Sequence, residues 1–319
     1  MKANETYILF MKNSPLFEKD FIEAFNMSDV SVKQLGGGID KLCFQVHTSK
    51  KDYILAFSKK IPSEKKLQML LELGDFLKEK SFCISRFVKT SSGKPLAYKH
   101  RGYFIGVYSY VHGESILWQA YSSKKIKSAV SYLYFFHKSS RSFQDKNSCA
   151  RILRSVADLK AKIEEFKSPF FKIEKKRACE ILSELYDAVA EREDELTVLH
   201  GDYGRGNIIF EKEKVTGMID FESVCLGHPV FDVGHFLGTL LVDTLWQAPD
   251  LEENVILEYE KFSKFRISPK TYWQAANYFW LSDFVANFEG KTTPCFENIV
   301  NELKKINLVK KYEMGRLFS

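Results

Sequence analysis

The chain has 319 residues, of which 45% are hydrophobic and 28% are charged. This length and composition predict one large or two modest globular units, and they exclude a disordered chain. The net charge of +6 combines 47 basic with 41 acidic residues. Because the lysines form scattered short pairs without an arginine and aromatic platform, we expect no nucleic-acid partner.

The cysteines and the chain start indicate where the protein is found. No Cys-x-x-Cys pair or nearby histidine at metal-ligand spacing accompanies the six cysteines, so we interpret them as incidental thiols of a reducing compartment. The first residues lack the apolar core of a signal peptide, and no apolar run is long enough to span a bilayer. We therefore expect a soluble cytoplasmic protein without a membrane partner, and the sequence leaves its oligomeric state open.

Strands dominate the first part of the chain and helices dominate the rest. Strands are predicted over 30–35, 42–48, 53–57, 84–90 and 103–110. Helices are predicted over 18–25, 62–80, 129–138, 150–166 and 173–191. The acidic run 191–195 that ends the last of these helices is interpreted as a solvated turn. The change from strands to helices falls near residue 110, where we place a boundary between two domains.

A polar motif follows the predicted helices. Asp202 and Asn207 lie five positions apart, and Asp220 comes at the end of an apolar hairpin with strands predicted over 207–210 and 215–221. Phosphoryl transfer from a nucleotide needs carboxylate and amide oxygens that hold magnesium against the phosphates, and a further carboxylate that receives a hydroxyl proton. Asp202, Asn207 and Asp220 can fill these three roles. An ordinary turn is the alternative.

Three stretches around this motif resemble the aminoglycoside phosphotransferase and choline kinase superfamily, which includes homoserine and methylthioribose kinases. They are His200-Gly-Asp202 with Asn207, Ile219-Asp220-Phe-Glu222, and Phe231-Asp-Val-Gly-His235. The resemblance is strongest over residues 198–238. It implies an α+β, two-lobed, protein-kinase-like fold, with a small N-terminal antiparallel sheet lobe and a larger, mainly helical C-terminal lobe.

The resemblance also implies a role for each residue of the motif. Asp202 would be the catalytic base, and Asn207 and Asp220 would be the metal ligands. His200 would be a scaffold residue, and Asp232 a structural carboxylate that braces the catalytic loop. Residues 1–110 would form the nucleotide-binding lobe, and residues 111–319 the catalytic and acceptor-binding lobe.

Candidate nucleotide contacts lie at two turns in the first half of the chain. Gly36, Gly37 and Gly38 let backbone amides approach phosphates closely, so they form a candidate nucleotide lid, with an ordinary hairpin as the alternative. A connector between two lobes exposes backbone N–H and C=O groups. Ser109 and Val111 are therefore candidates for pairing with the nucleobase.

At two positions the sequence does not decide which residue binds the metal or the phosphates. Glu222 is a further magnesium ligand, which we favour, or a polar residue at a strand end. Ala56 stands where the superfamily commonly has a lysine or arginine that reaches the phosphates. The nearest cations are Lys41, Lys59 and Lys60. Side chains alternate along a strand, which favours Lys60 if the strand extends that far, and an exposed strand-end lysine is the alternative.

The class of phosphate acceptor is predicted from the short segment between Asp220 and Asp232. Twelve positions separate Asp220 from Asp232, too few for a long activation segment and a peptide-docking platform, so a small hydroxyl compound is favoured over a protein. Trp273 and Trp280 recur at helical spacing, which favours core packing over a cage for a quaternary ammonium. We predict a kinase that uses magnesium with ATP or GTP and acts on an aminoglycoside, homoserine, choline or methylthioribose. Because of Ala56, a nucleotide-binding regulatory module without catalysis is the alternative.

Overall fold

The structure, a computed structural model, describes residues 30–35, 41–49, 51–90, 92–100, 102–116, 121–165, 172–244, 253–263 and 266–288. These residues form two compact units. The first contains the described residues up to Asp75 together with Ile84–Tyr110, and the second contains Phe76–Cys83 and the described residues from Val111 onward. The glycines at 36–38 and the helix predicted over 18–25 lie outside the described residues.

The first unit is built on a five-stranded antiparallel sheet with the strand order β1-β2-β3-β5-β4. Its strands are β1 (Val30–Gln34), β2 (Lys41–Thr48), β3 (Asp52–Ser58), β4 (Ala97–His100) and β5 (Tyr103–Ser109). Apolar side chains that alternate along the central strands, among them Phe44, Val46, Leu55 and Val107, form its buried core. The predicted N-terminal antiparallel sheet is confirmed.

One strand of the prediction is wrong. Residues 84–90 make only isolated bridges, from Phe87 to Tyr108 and from Lys89 to Pro95. The N–H of Val88 donates to Val107 while its carbonyl accepts from Leu96, so the segment does not form a continuous ladder with one neighbour. Strand β4, which was not predicted, pairs with β5 instead.

Helix α1 (Glu64–Glu79) begins after Ser63, whose hydroxyl accepts the backbone N–H of Lys66 and so caps the helix. The other helices, all in the second unit, are α2 (Ser123–Ser140), α3 (Ile152–Glu165), α4 (Lys172–Val189), α5 (Val230–Thr244), α6 (Glu258–Phe262) and α7 (Pro269–Phe288). This mainly helical part confirms the second half of the predicted fold class. In the described part of the chain, no helix combines the length and apolar character needed to cross a membrane.

Two small sheets accompany these helices. The strands β6 (Glu114–Ser115), β8 (Ile208–Glu211) and β9 (Lys214–Met218) form one sheet in the order β6-β8-β9. The other sheet pairs β7 (Thr197–Leu199) with β10 (Cys225–Gly227) in antiparallel fashion. The segment between β7 and β8 and the segment between β9 and β10 carry the polar motif.

Helices α5 and α7 pack closely because α5 carries a glycine at their contact. A Cβ atom at Gly234 would lie 2.5 Å from the carbonyl oxygen of Tyr272 and 2.6 Å from the Cβ of Ala275. Trp273 and Trp280 of α7 are buried, which confirms the interpretation of these tryptophans as core residues. The contact sets the position of α5, the helix that carries Asp232.

Candidate active site

The segment that follows β7 brings Asp202 and Asn207 together. It closes with a short 3₁₀ turn, Arg205–Asn207, directly before β8. The side-chain amide of Asn207 donates to the backbone carbonyl of Asp202 at 2.8 Å and to its Oδ2 at 2.9 Å. Because the NH2 group of Asn207 is used in this way, its amide oxygen is the atom that could bind a cation.

Gly201 occupies a position that only glycine fits. Its φ is +78°, and a Cβ atom there would overlap the carbonyl oxygen of Ser223. Glycine adopts positive φ without a steric penalty, so it lets the segment before Asp202 pass close to the turn that follows Asp220.

Asp232 holds the backbone on the N-terminal side of Asp202. Its carboxylate accepts the N–H of His200 at 2.7 Å, the N–H of Gly201 at 2.9 Å and the Nε2–H of His137 at 2.9 Å. Burial alone would raise the pKa of Asp232, but the hydrogen bond and electrostatic attraction from His137, together with the backbone N–H of Gly201, hold the pKa below its ordinary value. The carboxylate is therefore ionised and stabilises the conformation of this backbone.

His200 connects the two segments of the motif. Its Nε2–H donates to the carbonyl of Ile219 at 2.9 Å, and its Nδ1 accepts the N–H of Asp202 at 3.3 Å. Burial lowers the pKa of His200, so the ring is neutral with its proton on Nε2. The N–H of Ile219 in turn donates to the carbonyl of Asn207 at 3.0 Å. These hydrogen bonds join the two segments, so that Asp220 lies beside Asp202 and Asn207.

Asp220 has an unusual backbone conformation for a residue with a side chain. Its φ of 66° and ψ of 61° lie in the left-handed region, and such strain is concentrated at functional sites. Its charge also acts on Asp202. Burial raises the pKa of Asp202, and the negative charge of Asp220 adds to this shift.

The oxygens of Asn207 and Asp220 suit a hard cation such as magnesium. Glu222 is half-buried in the turn Phe221–Ser223, directly after Asp220. The residues with described positions include no group of three His, Cys, Asp or Glu side chains that could hold a metal ion. Magnesium in nucleotide sites is typically held by one or two carboxylates together with substrate phosphates and water.

Ser109 lies in the first unit, where its backbone is already engaged. Its N–H donates to the carbonyl of Arg86 at 2.8 Å, and its carbonyl accepts the hydroxyl of Ser85 at 3.2 Å. Both backbone groups of Ser109, which were predicted as candidates for pairing with the nucleobase, thus have partners within the unit. Val111 belongs to the second unit, where its side chain is buried against Gly217.

The strand argument for Lys60 does not hold. Strand β3 ends at Ser58, two residues before Lys60, so the alternation of side chains along the strand does not extend to this lysine. The backbone N–H of Lys60 instead donates to the hydroxyl of Ser58 at 3.1 Å, and its side chain is exposed.

His235 was not among the predicted site residues, although the structure places it at the site. Its Nδ1 lies 3.7 Å from Oδ1 of Asp202, and its ring stacks on Phe279 with 4.1 Å between centroids. The sequence feature that could have identified His235 is its spacing of three residues from Asp232. Residues three positions apart share a helix face, so His235 faces the same segment as Asp232.

Comparisons with known proteins identify the family and the fold of the chain. A profile described as the phosphotransferase enzyme family matches residues 31–261, more than half of the chain. No curated protein matches the sequence. Solved structures share the fold at low sequence identity.

Three of these structures illustrate the likeness. Spectinomycin phosphotransferase, in complex with ADP and spectinomycin, is 15% identical with a TM-score of 0.60, over 93% of this chain and 95% of that one. The APH(2″) complex with GDP and kanamycin is 14% identical with a TM-score of 0.65, over 94% and 98%. Macrolide 2′-phosphotransferase from Brachybacterium faecium is 14% identical with a TM-score of 0.59, over 87% and 94%. The chain belongs to the phosphotransferase enzyme family.

Proposed function

We propose that this enzyme transfers the γ-phosphoryl group of ATP or GTP to a hydroxyl group of a small molecule, with Asp202 as the proton acceptor. Asn207 and Asp220 would hold magnesium, which supplies positive charge against the phosphates when it is bound. The observation that carries the proposal is the geometry of Asp202, whose Oδ2 accepts the amide of Asn207 at 2.9 Å beside the carboxylate of Asp220.

Asp202 is held in position before a substrate arrives. Asn207 binds one carboxylate oxygen, and Nδ1 of His200 binds the backbone N–H of the same residue. The side chain of Asp202 is 45% exposed, so an acceptor hydroxyl can reach it. The raised pKa of Asp202 lies closer to neutral pH, where a general base is most effective. Its carboxylate takes the proton of the acceptor hydroxyl as the new bond to phosphorus forms.

The structural relatives support the classes of donor and acceptor. They were solved with ADP and spectinomycin in one case and with GDP and kanamycin in another. We therefore propose a purine nucleoside triphosphate as donor. Among acceptors we place aminoglycosides first, followed by homoserine, choline and methylthioribose.

The predicted contacts with the phosphates and with the metal remain part of the proposal. Gly36, Gly37 and Gly38 are proposed to contact the nucleotide phosphates through their backbone amides. Lys60 stays a candidate for the phosphate-binding cation, and Glu222 for an additional metal ligand.

The first prediction tests the base and one metal ligand. Asp202→Asn removes the proton acceptor and Asp220→Ala removes a metal ligand, so each is expected to lower acceptor-dependent ADP formation by roughly a thousandfold or more. The measurement is the release of ADP from ATP, or of GDP from GTP, in the presence of magnesium and each of the acceptors named above. Asp194→Asn, at an exposed carboxylate in another turn, is the control and should retain full activity.

Two outcomes would contradict the proposal. Full turnover in purified Asp202→Asn would remove this carboxylate from the mechanism. Nucleotide binding with no turnover of any acceptor would instead favour the alternative, a nucleotide-binding regulatory module without catalysis.

A further inference from the structure

Helix α5 places His235 beside the proposed proton acceptor. Its Nδ1 lies 3.7 Å from Oδ1 of Asp202, while Asn207 binds Oδ2 at 2.9 Å. Phe279 of α7 stacks on the imidazole with an interplanar angle of 14°, which fixes the plane of the ring. The side chain of His235 is 12% exposed, and its Nδ1 is buried and has no hydrogen-bond partner in the described part of the protein. Buried polar atoms of this kind are rare in native proteins and indicate a functional use.

The imidazole of His235 is neutral near pH 7. Burial lowers the pKa of His235 to about 4, and the carboxylates of Asp283 and Asp232 act in the opposite direction. A neutral imidazole carries one N–H and one lone pair. With the N–H on Nδ1, the ring attracts Oδ1 of Asp202, whereas a lone pair there would face another electron-rich atom. The tautomer with the proton on Nδ1 is therefore favoured.

We propose that His235 is a positioning residue whose Nδ1–H donates a hydrogen bond to Oδ1 of Asp202 and so orients this carboxylate for proton transfer. The inference rests on the proposed function of Asp202. A hydrogen bond requires the two atoms to approach by about 0.8 Å from their present separation. Hydrogen bonds of catalytic groups are often long in the free enzyme and shorten when the substrate binds.

The two donors would act on opposite oxygens of the same carboxylate. Asn207 fixes Oδ2, and His235 would fix Oδ1, so together they define the plane of the Asp202 carboxylate. A carboxylate offers about four lone-pair sites, which leaves room for the acceptor hydroxyl. Loss of either donor would allow the carboxylate to rotate away from the reactive geometry.

Three variants of His235 test the position of the N–H. His235→Asn keeps an N–H near the place of Nδ1, whereas His235→Gln is also polar but carries its N–H farther out, and His235→Leu has none. We expect His235→Leu and His235→Gln to lower kcat roughly tenfold with little change in KM for ATP, and His235→Asn to recover most of this loss. Thr239→Val is the control, since Thr239 also lies beside this segment and its hydroxyl donates to Phe236 of its own helix.

A double-mutant cycle shows whether His235 acts through Asp202. In the Asp202→Asn background, His235→Leu should cause no further loss of the residual rate, measured by transfer of radiolabelled phosphate. Equal losses in both backgrounds, an unchanged kcat in His235→Leu, or no recovery in His235→Asn would each overturn the inference. Full turnover in Asp202→Asn alone would overturn the proposed function instead, so the two failures are distinct. Melting temperatures of all variants separate loss of folding from loss of positioning.

Discussion

One residue at each of the two turns of the motif has a positive φ, a backbone conformation that is unfavourable for residues with a side chain. Gly201 has a φ of +78° and Asp220 a φ of +66°. At Gly201 the absence of a side chain removes both the strain and the overlap with Ser223. At Asp220 the strain remains, and the surrounding hydrogen bonds of the motif must offset it. The position of the proposed metal ligand thus depends on local backbone geometry as well as on residue type.

A substitution at Gly201 tests this at the residue scale. Gly201→Ala is expected to lower the free energy of unfolding by more than about 2 kcal/mol, because it adds a steric overlap to the strain of positive φ. Gly93→Ala is the control, since Gly93 has a φ of +81° but nothing within 4 Å of an added Cβ. We expect the control to lose only about 1 kcal/mol in urea unfolding. Equal losses of unfolding free energy in the two variants would show that the overlap with Ser223 does not affect stability.

At the scale of elements, a buried histidine fixes the start of helix α5. Nδ1 of His228 accepts the N–H of Val230 at 3.1 Å, and its Nε2–H donates to Glu195 at 2.7 Å. The acidic run 191–195 is therefore more than the solvated turn predicted for it, because Glu195 binds this histidine. Burial lowers the pKa of His228 to about 4, with Glu195 opposing the shift. The neutral ring anchors the helix that carries Asp232 and His235.

This arrangement predicts a pH dependence of stability. The pKa of His228 is about 4 in the folded chain and about 6.5 in the unfolded chain, so the unfolded chain binds the proton first as the pH falls. The stability from neutral His228 is complete above about pH 6.5 and is lost as the pH falls towards about 4, by up to about 3 kcal/mol. Urea unfolding at pH 7 and pH 5 should show a smaller difference for His228→Gln than for the wild type. An identical difference would exclude His228 as a source of the pH dependence.

At the scale of the whole molecule, each unit has a buried core of its own, and the motif of Asp202, Asn207 and Asp220 lies in the second unit. A ligand that binds only the folded chain stabilises it in proportion to the logarithm of its concentration, by about 2.7 kcal/mol at one hundred times the dissociation constant. Nucleotide binding should therefore be detectable as a change in stability without knowledge of the acceptor.

We expect ATP or GTP with magnesium to raise the melting temperature, and EDTA to reduce this increase by removing the cation. Asp220→Ala should show the smaller increase even when magnesium is present, since it lacks a proposed metal ligand. Asp194→Asn should behave like the wild type. A melting temperature that rises equally with and without EDTA would contradict a role for magnesium in nucleotide binding.

The local features of this protein could be read from its sequence. The helix predicted over 150–166 is found at Ile152–Glu165, and the strand predicted over 53–57 is found at Asp52–Ser58, because hydrophobic periodicity depends on near neighbours in the chain. The spacing of Asp202 and Asn207 likewise predicted their proximity, since five positions in one segment cannot lie far apart. Edge strand β4 was missed because its four residues carry too short a pattern.

Contacts between distant segments were decided only by the tertiary structure. Strand β3 ends before Lys60 because its pairing with β2 and β5 ends at Ser58, which the alternation of residues in one strand does not reveal. The sequence determined which residue types stand in the motif, but the close packing of α5 against α7 placed Asp232 on the backbone of His200 and His235 beside Asp202. These contacts join residues about thirty positions apart, and no local periodicity specifies them, because they depend on how whole helices pack.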